Sequence, residues 1–255
     1  CLRPDMDVQL ISATDSWAQF AVAGPNARRV LQDIVDPEHD ITDAAFPFMA
    51  CAAISVCGGT PARLFRISFS GELAYEIAVP TRYGDAMIRA LMAAGEDYDI
   101  TPYGTEALGV MRIEKGHVTG NELNGTITAR HLGMARMVST KKDSIGAVLA
   151  GREALVAEDG LCLVGLQAID GDDVTAGAHL FAENTPVDPA HDEGYVTSAA
   201  WSPHIEASIG LGFIARGADR HGETVRLMNP LEGRTARARI CSPHFIDPEG
   251  ERLRD

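Results

Sequence analysis

In the stretch ARLFRISFSGELAYEIAVP (62–80) the alternating positions Ala74, Glu76 and Ala78 place one carboxylate between two alanines. In a strand, residues two apart share a face, so the alanines flank the carboxylate and leave room above it. A carboxylate offers two coplanar acceptor oxygens, which suits a ligand presenting two adjacent N–H donors. Arg66 lies one strand earlier, and Arg112 lies in the helical pattern TEALGVMRIEKG. The remaining reactive side chains form no pattern. Five cysteines, an odd number, are scattered without CxxC spacing, and eight histidines are dispersed, so no metal site is legible. Such thiols fit a reduced, cytoplasmic protein better than a disulfide framework. Ser202, His204 and Glu206 lie close together in TSAAWSPHIEASIG, but no GxSxG elbow accompanies them, and a triad needs spatial proximity.

The element that must hold Glu76 reads as a hairpin. With residues 70–72 as a three-residue loop, Phe69 faces Leu73, Ile67 faces Tyr75 and Phe65 faces Ile77, which collects the apolar side chains on one side. The same register sets Arg66 opposite Glu76, Ser68 opposite Ala74 and Leu64 opposite Ala78. Two readings of the polar side then stand: an exposed cross-strand ion pair worth about 0–1 kcal/mol, or a pocket floor with Glu76 reading a donor pair such as that of a 2-amino-4-oxopteridine.

Around this hairpin, WAQFAVAG and CAAISVCGG read as strands, and PNARRVLQDIV and YGDAMIRALMAAG as amphipathic helices. TEALGVMRIEKG reads as a helix capped by Thr105, stopped by Gly116, with Ala107, Val110 and Met111 on its buried face. Residues 130–157 read as helical and connective. From Leu161 short apolar runs are punctuated by Gly, Pro, Asp and Asn, the pattern of a small β-domain. The expected fold is α+β: a ferredoxin-like antiparallel sheet with helices over 1–157, then an all-β, barrel-like domain over 158–255.

With 36 acidic and 22 basic residues the formal charge is −14, which disfavours nucleic acid as a partner. No apolar run is long enough for a membrane span. The chain opens at Cys1 without a leader pattern, as a piece of a longer polypeptide would. No GxGxxG fingerprint is present, so no FAD or NAD site is expected on this stretch.

FSGELAYEIAVP, TPYGTEALGVMRIEKGH and GYVTSAAWSPHIEASIGLGFI, in that order, resemble three signatures of the glycine-cleavage aminomethyltransferase (T-protein) family. MRIEKGHVTGNELNGTITA, STKKDSIGAVLAGREAL and HFIDPEGERL resemble one branch of it more closely, the C-terminal part of the α subunits of heterotetrameric sarcosine oxidases. The resemblance spans almost the whole chain. It implies that Glu76 binds the pteridine ring of tetrahydrofolate, that Arg112 lines the same cavity, and that Trp201 approaches it. Arg66 and Phe69 join this set, although Phe69 replaces a tyrosine of the family's GYTGE and loses its polar contact. The acid/base aspartate of the family is expected upstream of residue 1, which leaves the catalytic residue outside this stretch.

The implied chemistry is oxidation of sarcosine at a flavin elsewhere in the complex and transfer of the one-carbon unit to tetrahydrofolate, giving 5,10-methylenetetrahydrofolate. FAD, FMN and NAD are expected only in the intact complex, and the other sarcosine oxidase subunits are the expected partners. A free-standing aminomethyltransferase and a non-catalytic subunit-interaction module are the alternatives.

Overall fold

The computed structural model describes residues 5–254. Their contacts divide into two compact units. Residues up to Pro102 together with 250–254 form the first, and Tyr103–Glu249 the second.

The first unit contains β1 (Trp17–Ala23), α1 (Ala27–Gln32), β2 (Cys51–Val56), β3 (Thr60–Phe65), β4 (Ala74–Pro80) and α2 (Gly84–Ala94). The strands form an antiparallel sheet in the order β1-β4-β3-β2. Alternation sorts the side chains. Val22, Ile54, Val56, Ala62, Leu64, Tyr75, Ile77 and Val79 point to one side and pack with Val30, Leu31 and Ile34 near α1 and Met87 and Leu91 of α2. Full burial of each such Val, Leu or Ile is worth about 1.5–3 kcal/mol, so this face determines which way the sheet turns. The β2–β3 turn runs through Gly58 and Gly59 at positive φ, and the Asp36 carboxylate accepts both of their N–H groups at 2.7 and 2.8 Å.

The hairpin register differs from the expected one by a residue. Leu64 pairs with Ile77 and Phe65 with Glu76, and β3 ends there, so residues 66–73 form a long connection instead of a three-residue turn. Leu64 and Ala62 take the core positions, while Phe65 moves to the opposite face beside Glu76 and Phe69 is 39% exposed. Arg66 therefore does not pair with Glu76. It is wholly buried and donates to the Phe46 carbonyl at 2.9 Å, the Arg254 carbonyl at 3.0 Å and the Asp43 carboxylate. A guanidinium carries five donors and is costly to bury unless they are met. Acceptors in the 43–46 segment and in the returning residues 250–254 take up both terminal nitrogens, and ending β3 at Phe65 frees Arg66 to reach them.

The second unit is a six-stranded antiparallel barrel with an appended helix. Its strands are β5 (Leu161–Ala168), β6 (His179–Ala182), β7 (Gly194–Ser202), β8 (Ala207–Ala215), β9 (Thr224–Asn229) and β10 (Arg234–Cys241), closed in the order β10-β5-β8-β7-β6-β9. Closure leaves no unpaired edge. Val164, Leu166, Leu180, Val196, Ile214, Val225, Leu227 and Ile240 fill the interior. A Cβ on Gly194 would lie 2.0 Å from the Phe213 carbonyl oxygen, so strand β7 tolerates only glycine at that approach.

The helix α3 (Thr105–Lys115) covers the outside of β5, β7 and β8, with Ile113 packed among Leu163, Ile209, Leu211 and Phe213. This explains the unbroken run SIGLGFI: β8 is buried on both faces. Two details of α3 depart from expectation. Gly104, not Thr105, is the N-cap residue, and the buried part is the last turn, Arg112, Ile113, Glu114 and Lys115, whereas Ala107 is exposed. The charged residues go inward because partners from distant segments meet them there. Gly116 ends the helix in the left-handed region at φ 77°, as expected.

The change of pattern read near 157 marks the onset of the barrel strands at Leu161, while the compact units divide at Pro102. Residues 130–157 are largely irregular. The only α-helical turns there are α4 (Ala147–Ala150) and α5 (Glu153–Val156), with Ile145 85% and Val148 84% exposed. Helices this short persist only where an apolar face packs, and these apolar residues have no core to enter. No helix among the described residues is long and apolar enough to cross a membrane.

Candidate functional site

The face of the first sheet opposite its core carries the candidate site. On it the register sets Ala21 of β1, Glu76 of β4, Phe65 of β3 and Cys51 of β2 side by side. The neighbouring row is Gln19, Ala78, Arg63 and Ala53, and Trp17 lies beyond, opposite Pro80. Four alanines therefore surround the Glu76 position: Ala21 across the ladder, Ala23 diagonal to it, and Ala74 and Ala78 along its own strand.

Glu76 is half-buried at its base, and its Oε2 accepts a hydrogen bond from the Gln19 side-chain amide. The Arg63 guanidinium lies 4.0 Å over the Trp17 ring, a cation–π stack at the margin of the same face. The arrangement is a flat floor of small side chains, one oriented carboxylate, an aromatic ring in Phe65 and a guanidinium–indole wall. Chemically it suits a planar heteroaromatic ligand with an N–H edge.

The core side of β4 holds Tyr75, which stacks on Phe46 with ring centroids 6.4 Å apart while its hydroxyl accepts from Arg28 Nε at 2.7 Å. Arg66 lies on this side. Its guanidinium beside Asp43 holds that carboxyl below the usual carboxylate range. Phe69 lies in the 66–73 connection, part of the loop bound by Arg252, which donates to Glu72 at 2.7 Å.

Arg112 and Trp201 belong to the barrel unit. Arg112 is buried, and its Nη1 donates to Glu122 Oε2 at 3.2 Å and its Nη2 to the Ser198 hydroxyl at 2.6 Å. Ser198 in turn donates to Glu122 Oε1 at 2.7 Å, and the Thr119 N–H donates to Oε2 at 2.8 Å. A β-bulge between Val196 and Ser198 turns Ser198 toward α3. Burial pushes the Glu122 carboxyl up, but the Thr197 and Ser198 hydroxyls, the Thr119 amide and the Arg112 charge outweigh it, and the net displacement is downward. Trp201, further along β7, is 60% exposed. Ser202 is wholly buried and donates to Glu114 at 2.5 Å, and His204 and Glu206 are exposed on the turn that follows, so these three residues assemble no triad.

Two polar partners escaped the sequence reading. Gln19 occupies the polar slot of the alternation in WAQFAVA, and its meeting with Glu76 depends on β1 pairing with β4, which local pattern does not reveal. Glu122 sits in GNELNG, where nothing local distinguishes a buried carboxylate from a solvated one. Among the described residues no group of three His, Cys, Asp or Glu side chains is arranged to hold a metal ion.

The model of the GCVT N-terminal domain matches residues 2–142, and that of the glycine cleavage T-protein C-terminal barrel domain matches residues 162–247. The chain belongs to the GCVT family. This GCVT-family chain is 51% identical over 255 residues to the sarcosine oxidase subunit alpha of Rhizobium meliloti (strain 1021), covering 99% of the chain and 26% of that protein. It is 27% identical to an aminomethyltransferase of Thermoanaerobacter sp. (strain X514), over 94% of the chain and 62% of the relative. It thus spans about a quarter of the sarcosine oxidase subunits that it matches. The crystal structure of glycine cleavage system aminomethyltransferase T from Bartonella henselae superposes with a TM-score of 0.68 at 22% identity, covering 90% of this chain and 60% of that one, which establishes the fold.

Proposed function

We propose that this GCVT-family chain is the tetrahydrofolate-binding portion of a sarcosine oxidase-type α subunit. The observation that carries the reading is Glu76: an oriented, half-exposed carboxylate on the sheet face opposite the core, ringed by Ala21, Ala23, Ala74 and Ala78. The face fits the group. Two acceptor oxygens in a plane match the adjacent N–H donors of a reduced pteridine, and Ala21 and Ala23 beside them carry no bulk to block its approach. When bound, tetrahydrofolate supplies a nucleophilic nitrogen that takes up the one-carbon unit of oxidised sarcosine. The chain's own contribution is positional. Glu76 fixes the in-plane orientation of the ring, Phe65 packs beside it, and the small-residue floor sets its depth, so that the reacting nitrogen is held where transfer competes with hydrolysis.

The 51% identity to a sarcosine oxidase α subunit, against 27% to a free-standing aminomethyltransferase, favours the former assembly. Partner subunits belong to the same proposal. Met137, Ile145 and Val148 are each at least 80% exposed, and an extended chain carrying so much uncovered apolar surface is suited to contact with other protein.

The test is calorimetric titration of 5-formyltetrahydrofolate into the intact protein and its Glu76→Ala variant. Binding that disappears in the variant supports the reading. No binding by the wild-type protein sinks it and leaves a subunit-interaction module.

A further inference from the structure

We propose that Gln19 is the positioning residue of the ligand-reading carboxylate, a proposal that rests on the reading of Glu76 given above. Ala21, not Gln19, stands directly opposite Glu76, so the Gln19 side chain reaches diagonally across the β1–β4 ladder to deliver its amide N–H to Glu76 Oε2. Both residues are solvent-accessible, and a hydrogen bond in that setting adds little to folding. Its effect is orientational. An unrestrained carboxylate rotates about its terminal torsion, which is broad and roughly two-fold. Tying down one lone pair of Oε2 sets the carboxylate plane, while the remaining lone pairs of Oε1 and Oε2 stay available to the ligand's donor pair.

The flanking row contains nothing else to do this. Ala78 and Ala74 carry no donor, and Arg63 is stacked on Trp17. Gln19 thus decides whether Glu76 meets a donor edge in plane or at random. Titratable and charged groups in the rows of Glu76 and Gln19 are Glu76, Arg63 and Cys51, and further along the same face Glu38 and His39 meet the Ser55 hydroxyl.

The experiment measures the dissociation constant of 5-formyltetrahydrofolate for the intact protein and its Gln19→Met and Gln19→Glu variants between about pH 5 and 8. Gln19→Met keeps the side-chain length and removes the donor, so binding weakens about tenfold, equally at every pH. Gln19→Glu has a distinct signature. Two neighbouring carboxylates share a proton at low pH, the protonated member donates as the amide did, and affinity is near wild type; as pH rises both ionise, repel, and affinity falls, whereas the wild-type value stays flat. Both variants keep the wild-type melting temperature, which a merely structural glutamine would not allow. If Glu76→Ala abolishes binding while both Gln19 variants bind like wild type across the range, this inference is overturned and the folate reading stands. If the wild-type protein itself does not bind, both fall together.

Discussion

Arg112 and Glu122 form an ion pair in the interior of the barrel unit, with Nη1 3.2 Å from Oε2 and both side chains almost wholly excluded from solvent. Ser198 bridges them, accepting from the arginine and donating to the glutamate. A charge buried in this way is tolerated only while its partner is present, because desolvation of either ion alone costs several kcal/mol. The pair fastens the end of α3 and the segment after it to the bulge in β7.

Replacing Arg112 by alanine should therefore destabilise the barrel unit by about 3–5 kcal/mol, since Glu122 is left buried without its countercharge. The double replacement Arg112→Met with Glu122→Gln should recover much of that loss. Urea unfolding of the three proteins measures both quantities. A cost for Arg112→Ala below about 1 kcal/mol would show that the pair is dispensable.

Glu76→Gln should behave in the opposite way. The side chain is half-exposed and, among the described residues, its carboxylate bonds only to an exposed glutamine, so stability should change by no more than about 0.5 kcal/mol. Folate affinity should fall at least tenfold, because a neutral amide presents one acceptor where the carboxylate presents two. Thermal unfolding and calorimetry on the same preparation separate the two effects.

Gly116→Ala should cost more than about 2 kcal/mol, combining a left-handed backbone at φ 77° with a Cβ that would lie 2.4 Å from the Pro243 carbonyl oxygen. That turn also brings Lys115 to Asp247 at 2.8 Å and the Phe245 and Ile246 amides to the Glu114 carbonyl. A variant as stable as wild type, measured by denaturant midpoint, would refute the argument.

Stability should decline in two steps as pH falls. Burial pushes the His131 imidazole below its ordinary value of 6.5, with the Arg130 charge adding to the effect, and its Nδ1 accepts the Thr128 N–H at 3.1 Å. The unfolded chain then binds the proton more readily than the folded one, so stability rises with pH and is lost as pH drops from 6.5 through the lower folded value. Glu122 has the same sign at a lower window. Its stabilisation is full above its ordinary 4.5 and is lost as pH falls through its depressed folded value. Melting temperature recorded from about pH 8 to about pH 2 should show both steps, and His131→Gln should erase the first alone.

Strand positions were legible because they depend on local chemistry. The runs LCLVGLQAI, GYVTSAAW and ASIGLGFIA, each bounded by turn residues, became β5, β7 and β8 almost residue for residue. Likewise Ala27, Val30 and Leu31 fell on the core side of α1, with Ile34 packed just beyond its end, and Met87 and Leu91 on that of α2. The segment 130–157 misled for the same local reason: good helix formers do not make a helix without a surface to pack on.

What local pattern could not decide was pairing. A one-residue shift between β3 and β4 leaves every propensity unchanged, yet it moved Leu64 into the core, Phe65 beside Glu76, and Arg66 away from it into a cage of carbonyls. The choice rests on acceptors supplied by residues 43–46 and by the returning C-terminus, far away in sequence. The same holds for Gln19 with Glu76, 57 positions apart, and for Arg112 with Ser198, 86 apart. Residue types and their alternation determined that this chain would form a sheet with one carboxylate set between alanines on one face, because strand geometry is set by neighbours two residues away. Which side chains meet that carboxylate was decided only in the folded chain, where the buried guanidinium of Arg66 reaches Asp43, Phe46 and Arg254 through its terminal nitrogens and fixes a register that the hairpin alone leaves open.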